Sequence, residues 1–147
     1  DERIWKMRRN CQECVRLISQ VSLTDDVVVP RDKVAEAIKF VMKTGEKYPF
    51  TPLICAHVGD GNLHIVLCKC DLTDEEWEKY VQEFHDEVYT YAYSIGGRLA
   101  GEHGIGAKKL AEMEKYTRSG ELNLMRTIKK AMDPKCILNP GKIFNLD

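Results

Sequence analysis

The chain has 147 residues, enough for one domain with one buried core. Its composition is ordinary for a globular protein, 44% hydrophobic and 31% charged, and a net charge of −1 argues against a nucleic-acid partner. The apolar runs are too short to span a bilayer and no signal segment opens the chain, so a cytoplasmic protein that does not cross a membrane is expected.

In chain order, residues 3–20 read as a helix, with Ile4, Met7, Cys11, Cys14, Val15 and Ile18 recurring every three or four positions. Cys11 and Cys14 make a C-x-x-C without a second one for zinc, so they read as helix residues, and the six cysteines as mostly reduced thiols. Asp26–Pro30 reads as a short strand closed by proline. Residues 31–48 follow as an amphipathic helix with Val34, Ala37, Ile38 and Val41 on one face. "TPLICAHV" and "NLHIVLCKC" are two strands, and Asp60-Gly61 between them is a two-residue hairpin signal. Cys68 and Cys70 are expected to pack on one face of the second.

Thr73 with Glu76 forms a capping box for the next helix. Its apolar stripe is Trp77, Tyr80, Val81, Phe84, Val88 and Tyr91, and Gly96-Gly97 ends it. His85 lies on this helix among acidic residues and reads as solvated. "RLAGEHGIG" is a strand running into a glycine-rich loop; its spacing fails the dinucleotide fingerprint. Residues 107–132 are helical with an interruption near Gly120, and 133–147 form an irregular tail. The fold class is therefore α+β, a ferredoxin-like β-α-β-β-α-β core from Val27 to Ala100 with an added N-terminal helix and a C-terminal helical tail.

The hairpin carries the chemistry. With Asp60-Gly61 as a two-residue turn, His57 faces His64 with Cβ atoms about 5 Å apart. Two imidazole nitrogens then reach one metal at about 2.0–2.1 Å. Glu102 and His103, flanked by glycines, offer a third group. Two histidines and a carboxylate with open positions suit a catalytic metal site, while the neighbouring residue meets substrate as a base. A metal-dependent hydrolase or facial-triad oxygenase fits these motifs poorly.

"AHVGDGNLH", "GEHGIG" and "DPKCILNPGKIF", in this order, closely resemble the C-terminal domain of the FAD-linked D-2-hydroxyacid dehydrogenases, the family of flavin-type D-lactate dehydrogenase, glycolate oxidase and D-2-hydroxyglutarate dehydrogenase. "RIWKMRR" and "TDDVVVPRDKVAEAI" match earlier segments of it. The resemblance implies that His57, His64 and Glu102 bind a divalent metal, zinc, iron or manganese, and that His103 is the base. It further implies that Arg8 holds the substrate carboxylate and that Asn139, in Asn-Pro-Gly, lies near the flavin. Members of the hydroxyglutarate branch carry a lysine where Thr24 stands and an asparagine where Val66 stands, so a small monocarboxylate such as D-lactate or glycolate is expected here.

The resemblance also implies an N-terminal FAD-binding domain, which these 147 residues do not contain. The chain, which begins at Asp1, is expected to be the substrate and metal domain of a larger enzyme and inactive alone. Its partners would be the small 2-hydroxy acid, its own FAD domain, and an electron-transfer flavoprotein or iron-sulfur subunit as candidate acceptor. The alternative from another class is a stand-alone ferredoxin-like module that binds a metal or small acid without redox activity.

Overall fold

The computed structural model of the protein describes residues 2–146, apart from the side chains of Arg8, Cys11 and Gln12. The fold is α+β, built on a three-stranded antiparallel sheet in the order β1-β3-β2, with β1 at Ser22–Val28, β2 at Leu53–His57 and β3 at Asn62–Cys68. Alternation divides each strand between two faces. On one face Val27, Leu63, Ile65 and Leu67 are essentially inaccessible. They join Val34, Ala37 and Val41 of one long helix and Phe84, Val88, Tyr89 and Ala92 of another in a single core. The opposite face carries the polar and histidine residues described below.

The first of these helices, preceded by a short 3₁₀ turn at Arg31–Lys33, spans Val34–Gly45, and the second spans Asp74–Ser94. The predicted capping box forms: Thr73 Oγ1 accepts from the Glu76 amide at 3.2 Å and Glu76 Oε2 accepts from the Thr73 amide at 3.0 Å. Gly96, at φ +88°, ends that helix in the left-handed conformation that favours glycine. The predicted N-terminal helix is two: α1 (Glu2–Arg9) and α2 (Cys11–Ile18), parted at Asn10, a poor helix former. With these as α1 and α2, the long helices are α3 and α4. α5 (Leu110–Tyr116) and α6 (Ser119–Met132) follow, divided at Thr117-Arg118, near Gly120, which sits in the first turn of α6.

Four expectations are corrected. β1 begins at Ser22, four residues before Asp26, because Asp25 and Asp26 interrupt the apolar run yet are buried with partners. Of the strand expected at Arg98–Ala100 a single antiparallel bridge forms, Val28 to Arg98, with hydrogen bonds of 3.1 and 2.8 Å. Cys70 lies beyond the end of β3 at φ +48° and is exposed, so it does not share a face with Cys68. His85 is not solvated: its side chain is only 12% exposed and its Nε2 stands 3.7 Å from Asp25 Oδ2. Among the described residues, Cys14, Cys55, Cys68, Cys70 and Cys136 are free thiols, and no helix is long and apolar enough to cross a membrane.

Candidate active site

The hairpin that presents the histidines turns through residues 58–61, not through Asp60-Gly61 alone. His57 pairs with Asn62, and Cys55 pairs with His64. The register is thus displaced by two from the predicted one, and a two-residue shift keeps every side chain on its face. The reason lies in the turn. Asp60 Oδ1 accepts from the Asn62 amide at 3.0 Å, and the His57 carbonyl accepts from the amides of Asp60 and Gly61. Gly61 takes φ +83° against the Val29 carbonyl, where a Cβ would stand 2.0 Å from that oxygen. His57 and His64 end as diagonal neighbours with ring centroids 5.1 Å apart.

Glu102 completes the group. Its Oε1 lies 2.9 Å from His64 Nε2, 3.6 Å from His57 Nε2 and 3.8 Å from His103 Nε2. The His103 ring stacks on His64 with centroids 5.0 Å apart. The donor atoms of His57, His64 and Glu102 all lie within 4.8 Å of one another. Donors each about 2.1 Å from a shared ion stand roughly 3–4 Å apart, close to the two histidine–carboxylate distances here, so the three could hold a divalent metal. The donor set, two imidazoles and a carboxylate, is that of a catalytic site with open positions. His64 is mostly buried, whereas Glu102 is half exposed, so the group is anchored at the sheet and open outward.

It opens into a cavity of about 390 Å³. The sheet contributes Thr24, Leu53 and Val66, and α2 contributes Cys14, Val15 and Ile18. Thr24 and Val66 are cross-strand partners, and none of the described lining residues is a lysine or arginine. The side chain of Arg8, expected to hold a carboxylate, lies outside the described residues; its backbone belongs to α1. Asn139 lies at φ +47° in the exposed tail and does not line the cavity. The tail nevertheless reaches the glycine-rich loop, where the Ile143 amide donates to the Gly106 carbonyl at 2.7 Å.

Beneath the site lies a buried charged pair that motif reading passed over. Asp26, 1% exposed, is the cross-strand partner of His64. Its Oδ2 accepts from the amides of Gly101, Glu102 and His103 at 2.8, 2.6 and 2.9 Å. Burial alone would raise its carboxyl, but those amides and the Lys109 charge outweigh burial and hold it below its usual value. Lys109 Nζ donates to the carbonyls of Asp26, at 2.9 Å, and Leu99, and forms an ion pair with Asp25. Asp25 points to the other face, where it accepts from the Tyr89 hydroxyl at 2.7 Å. Burial pushes the Tyr89 hydroxyl far up, and Asp25 adds to that. Burial also pushes the His85 imidazole down, against the pull of Asp25. The signal available in the sequence was the acid pair inside a strand, since Asp is seldom buried unless paired.

A family model described as FAD linked oxidases, C-terminal domain, matches residues 1–143. A D-lactate dehydrogenase of Anaerostipes hadrus is 36% identical over 139 residues, 95% of this chain and 29% of that protein. A D-lactate dehydrogenase of Archaeoglobus fulgidus is 39% identical over 142 residues, 97% and 30% of the two chains. The glycolate oxidase subunit GlcD of Bacillus subtilis is 31% identical over 144 residues, 98% and 30%. The chain thus spans about 30% of the length of these relatives. It belongs to the C-terminal domain family of the FAD-linked oxidases.

Proposed function

We propose that residues 1–147 are the substrate and metal domain of an FAD-dependent enzyme that oxidises a small D-2-hydroxy acid, D-lactate or glycolate, to the 2-oxo acid. One observation carries this reading: His57, His64, Glu102 and His103, drawn from three segments, converge around one carboxylate oxygen at the wall of a cavity. The names of the relatives support it, as does their greater length, which leaves room for an N-terminal FAD domain. The architecture we assign is ferredoxin-like. Its support is the element order and the bridge that sets Arg98 on the free edge of β1.

His57, His64 and Glu102 would hold the divalent ion, zinc, iron or manganese. Such an ion would supply Lewis acidity toward the substrate hydroxyl and help to orient the acid. The flavin supplies the two-electron acceptor. His103 accepts the substrate hydroxyl proton as the Cα–H bond breaks and the carbonyl forms. Stacking on His64 sets its ring direction, and its backbone amide is fixed by Asp26. Arg8 would bind the substrate carboxylate, and Asn139 would be a contact to the flavin. The substrate's other end meets Thr24, Val66, Leu53 and Ile18, where a second carboxylate would find no counter-charge among the described lining residues.

The test is anaerobic flavin bleaching in the full-length protein that contains this chain. D-lactate or glycolate should reduce the flavin, and D-2-hydroxyglutarate should do so far more slowly. Faster reduction by D-2-hydroxyglutarate would overturn the substrate assignment. A full-length protein without flavin would favour the stand-alone binding module.

A further inference from the structure

We propose that Asp26 is a positioning residue that aims the third metal ligand and the base: its buried carboxylate gathers the three consecutive amides of residues 101–103 and thereby fixes the direction of the Glu102 and His103 side chains. The inference rests on the metal-and-base reading above. A loop with glycines at 101, 104 and 106, the last two at φ +75° and +56°, has much conformational freedom to lose. Without a partner, its successive amides would point in no defined direction. Three consecutive N–H groups make an anion-binding concavity, and here the anion is supplied by the protein itself. Hydrogen bonds to an ionised acceptor are shorter and stronger than neutral ones. The distances of 2.6–2.9 Å fall in that class.

Asp26 is also joined to the other ligand strand. It lies directly across β1 and β3 from His64, so one residue meets both halves of the site. Its Oδ1 and His64 Nδ1 are both buried and have no hydrogen-bond partner among the described residues. Gly101 is pressed against the buried side chain of Asn62, leaving no room for a Cβ, and this holds the loop close to β3. Asp25 serves as an internal control. It is equally buried and touches the same Lys109 ammonium, yet its described partners lie on the opposite face, at Tyr89 and His85. If Asp26 only balanced Lys109, the two acids would be equivalent.

The experiment uses the full-length protein with cobalt(II) as probe metal, comparing the parent with Asp26→Asn and Asp25→Asn. Both substitutions should lower the melting temperature. Only Asp26→Asn should weaken cobalt binding, by about 10–100-fold, the usual cost of losing a group that orients a ligand, and alter the cobalt visible spectrum. In the parent, amide exchange read residue by residue should show Gly101, Glu102 and His103 protected although they lie outside the sheet, with Gly104 exchanging freely. A parent that binds cobalt, with Asp26→Asn binding it equally well and with the same spectrum, would overturn the positioning role alone. A parent that binds no cobalt would overturn the metal reading and this role with it. Should Asp26→Asn fail to fold, exchange in the parent decides: amides at 101–103 as labile as that of Gly104 would refute the proposal.

Discussion

Replacing Lys109 with Met tests the charged layer beneath the site. Methionine keeps the unbranched aliphatic stem, so the packing of the side chain changes little and the ammonium is what disappears. Lys109 is 14% exposed, and its partners Asp25 and Asp26 are 2% and 1% exposed. Removing one member of a buried ion pair costs about 3–5 kcal/mol, because the remaining charge is left without compensation. For a domain of this size that is a fall in melting temperature of about 10–15 °C.

The loss should depend on pH, with a definite sign. In the parent, Asp26 is held below its usual value, so its contribution is complete above the unfolded carboxylate pKa and is lost as the solution becomes more acid. In Lys109→Met, Asp25 retains the Tyr89 hydroxyl but has lost its cation. His85, 3.7 Å away, is also freed from the repulsion of Lys109 and charges more easily. An imidazolium at His85 supplies the cation that Asp25 has lost, so the variant recovers on acidification. Thermal unfolding followed by circular dichroism at pH 8 and pH 5.5 measures this. A shift under about 3 °C, or a gap that widens toward acid, would refute the reasoning.

His57→Ala or His64→Ala in the full-length protein should remove most of the bound metal, measured by elemental analysis; full metal content in both variants would show that the histidines are not ligands. Glu102→Gln should weaken metal binding by about 10-fold or more, whereas His103→Asn should leave metal in place and slow single-turnover flavin reduction about 10²–10⁴-fold. The opposite pattern would exchange the two roles. Gly101→Ala places a Cβ 2.5 Å from Asn62 Cγ and should cost about 1–3 kcal/mol in urea unfolding, together with weaker metal binding. An unchanged unfolding midpoint would mean that Asn62 moves aside freely.

Much of the site was legible because its signals are local. The seven-residue interval between His57 and His64 placed both rings on one face even though the turn was misjudged, since a two-residue register shift preserves the face. The capping box at Thr73 and the apolar stripes of α3 and α4 depend on residues three or four apart. What escaped depends on distant partners. Asp25 and Asp26 look like a strand-breaking polar pair until Lys109 and the 101–103 amides are brought to them from over 70 residues away. His85 is surrounded by acids in sequence, but its helix turns it toward β1 and Asp25. The segment at Arg98 reads as a strand, yet it leaves the sheet after one bridge, as its backbone bends toward the glycine-rich loop.

The 75-residue interval between Asp26 and Gly101 has a consequence for how the proposed metal would be acquired. Contacts so distant in sequence are slow to form, because a long loop must close before they reward it. The hairpin holding His57 and His64 is local and closes early. A nascent chain therefore presents a two-histidine site well before Glu102 is drawn in by Asp26. An ion captured at that stage is held by neutral ligands alone and exchanges readily. On the proposed metal reading, tight retention would begin only when the last long-range contact forms, and metal selection would be made by the folded protein and not by the folding chain.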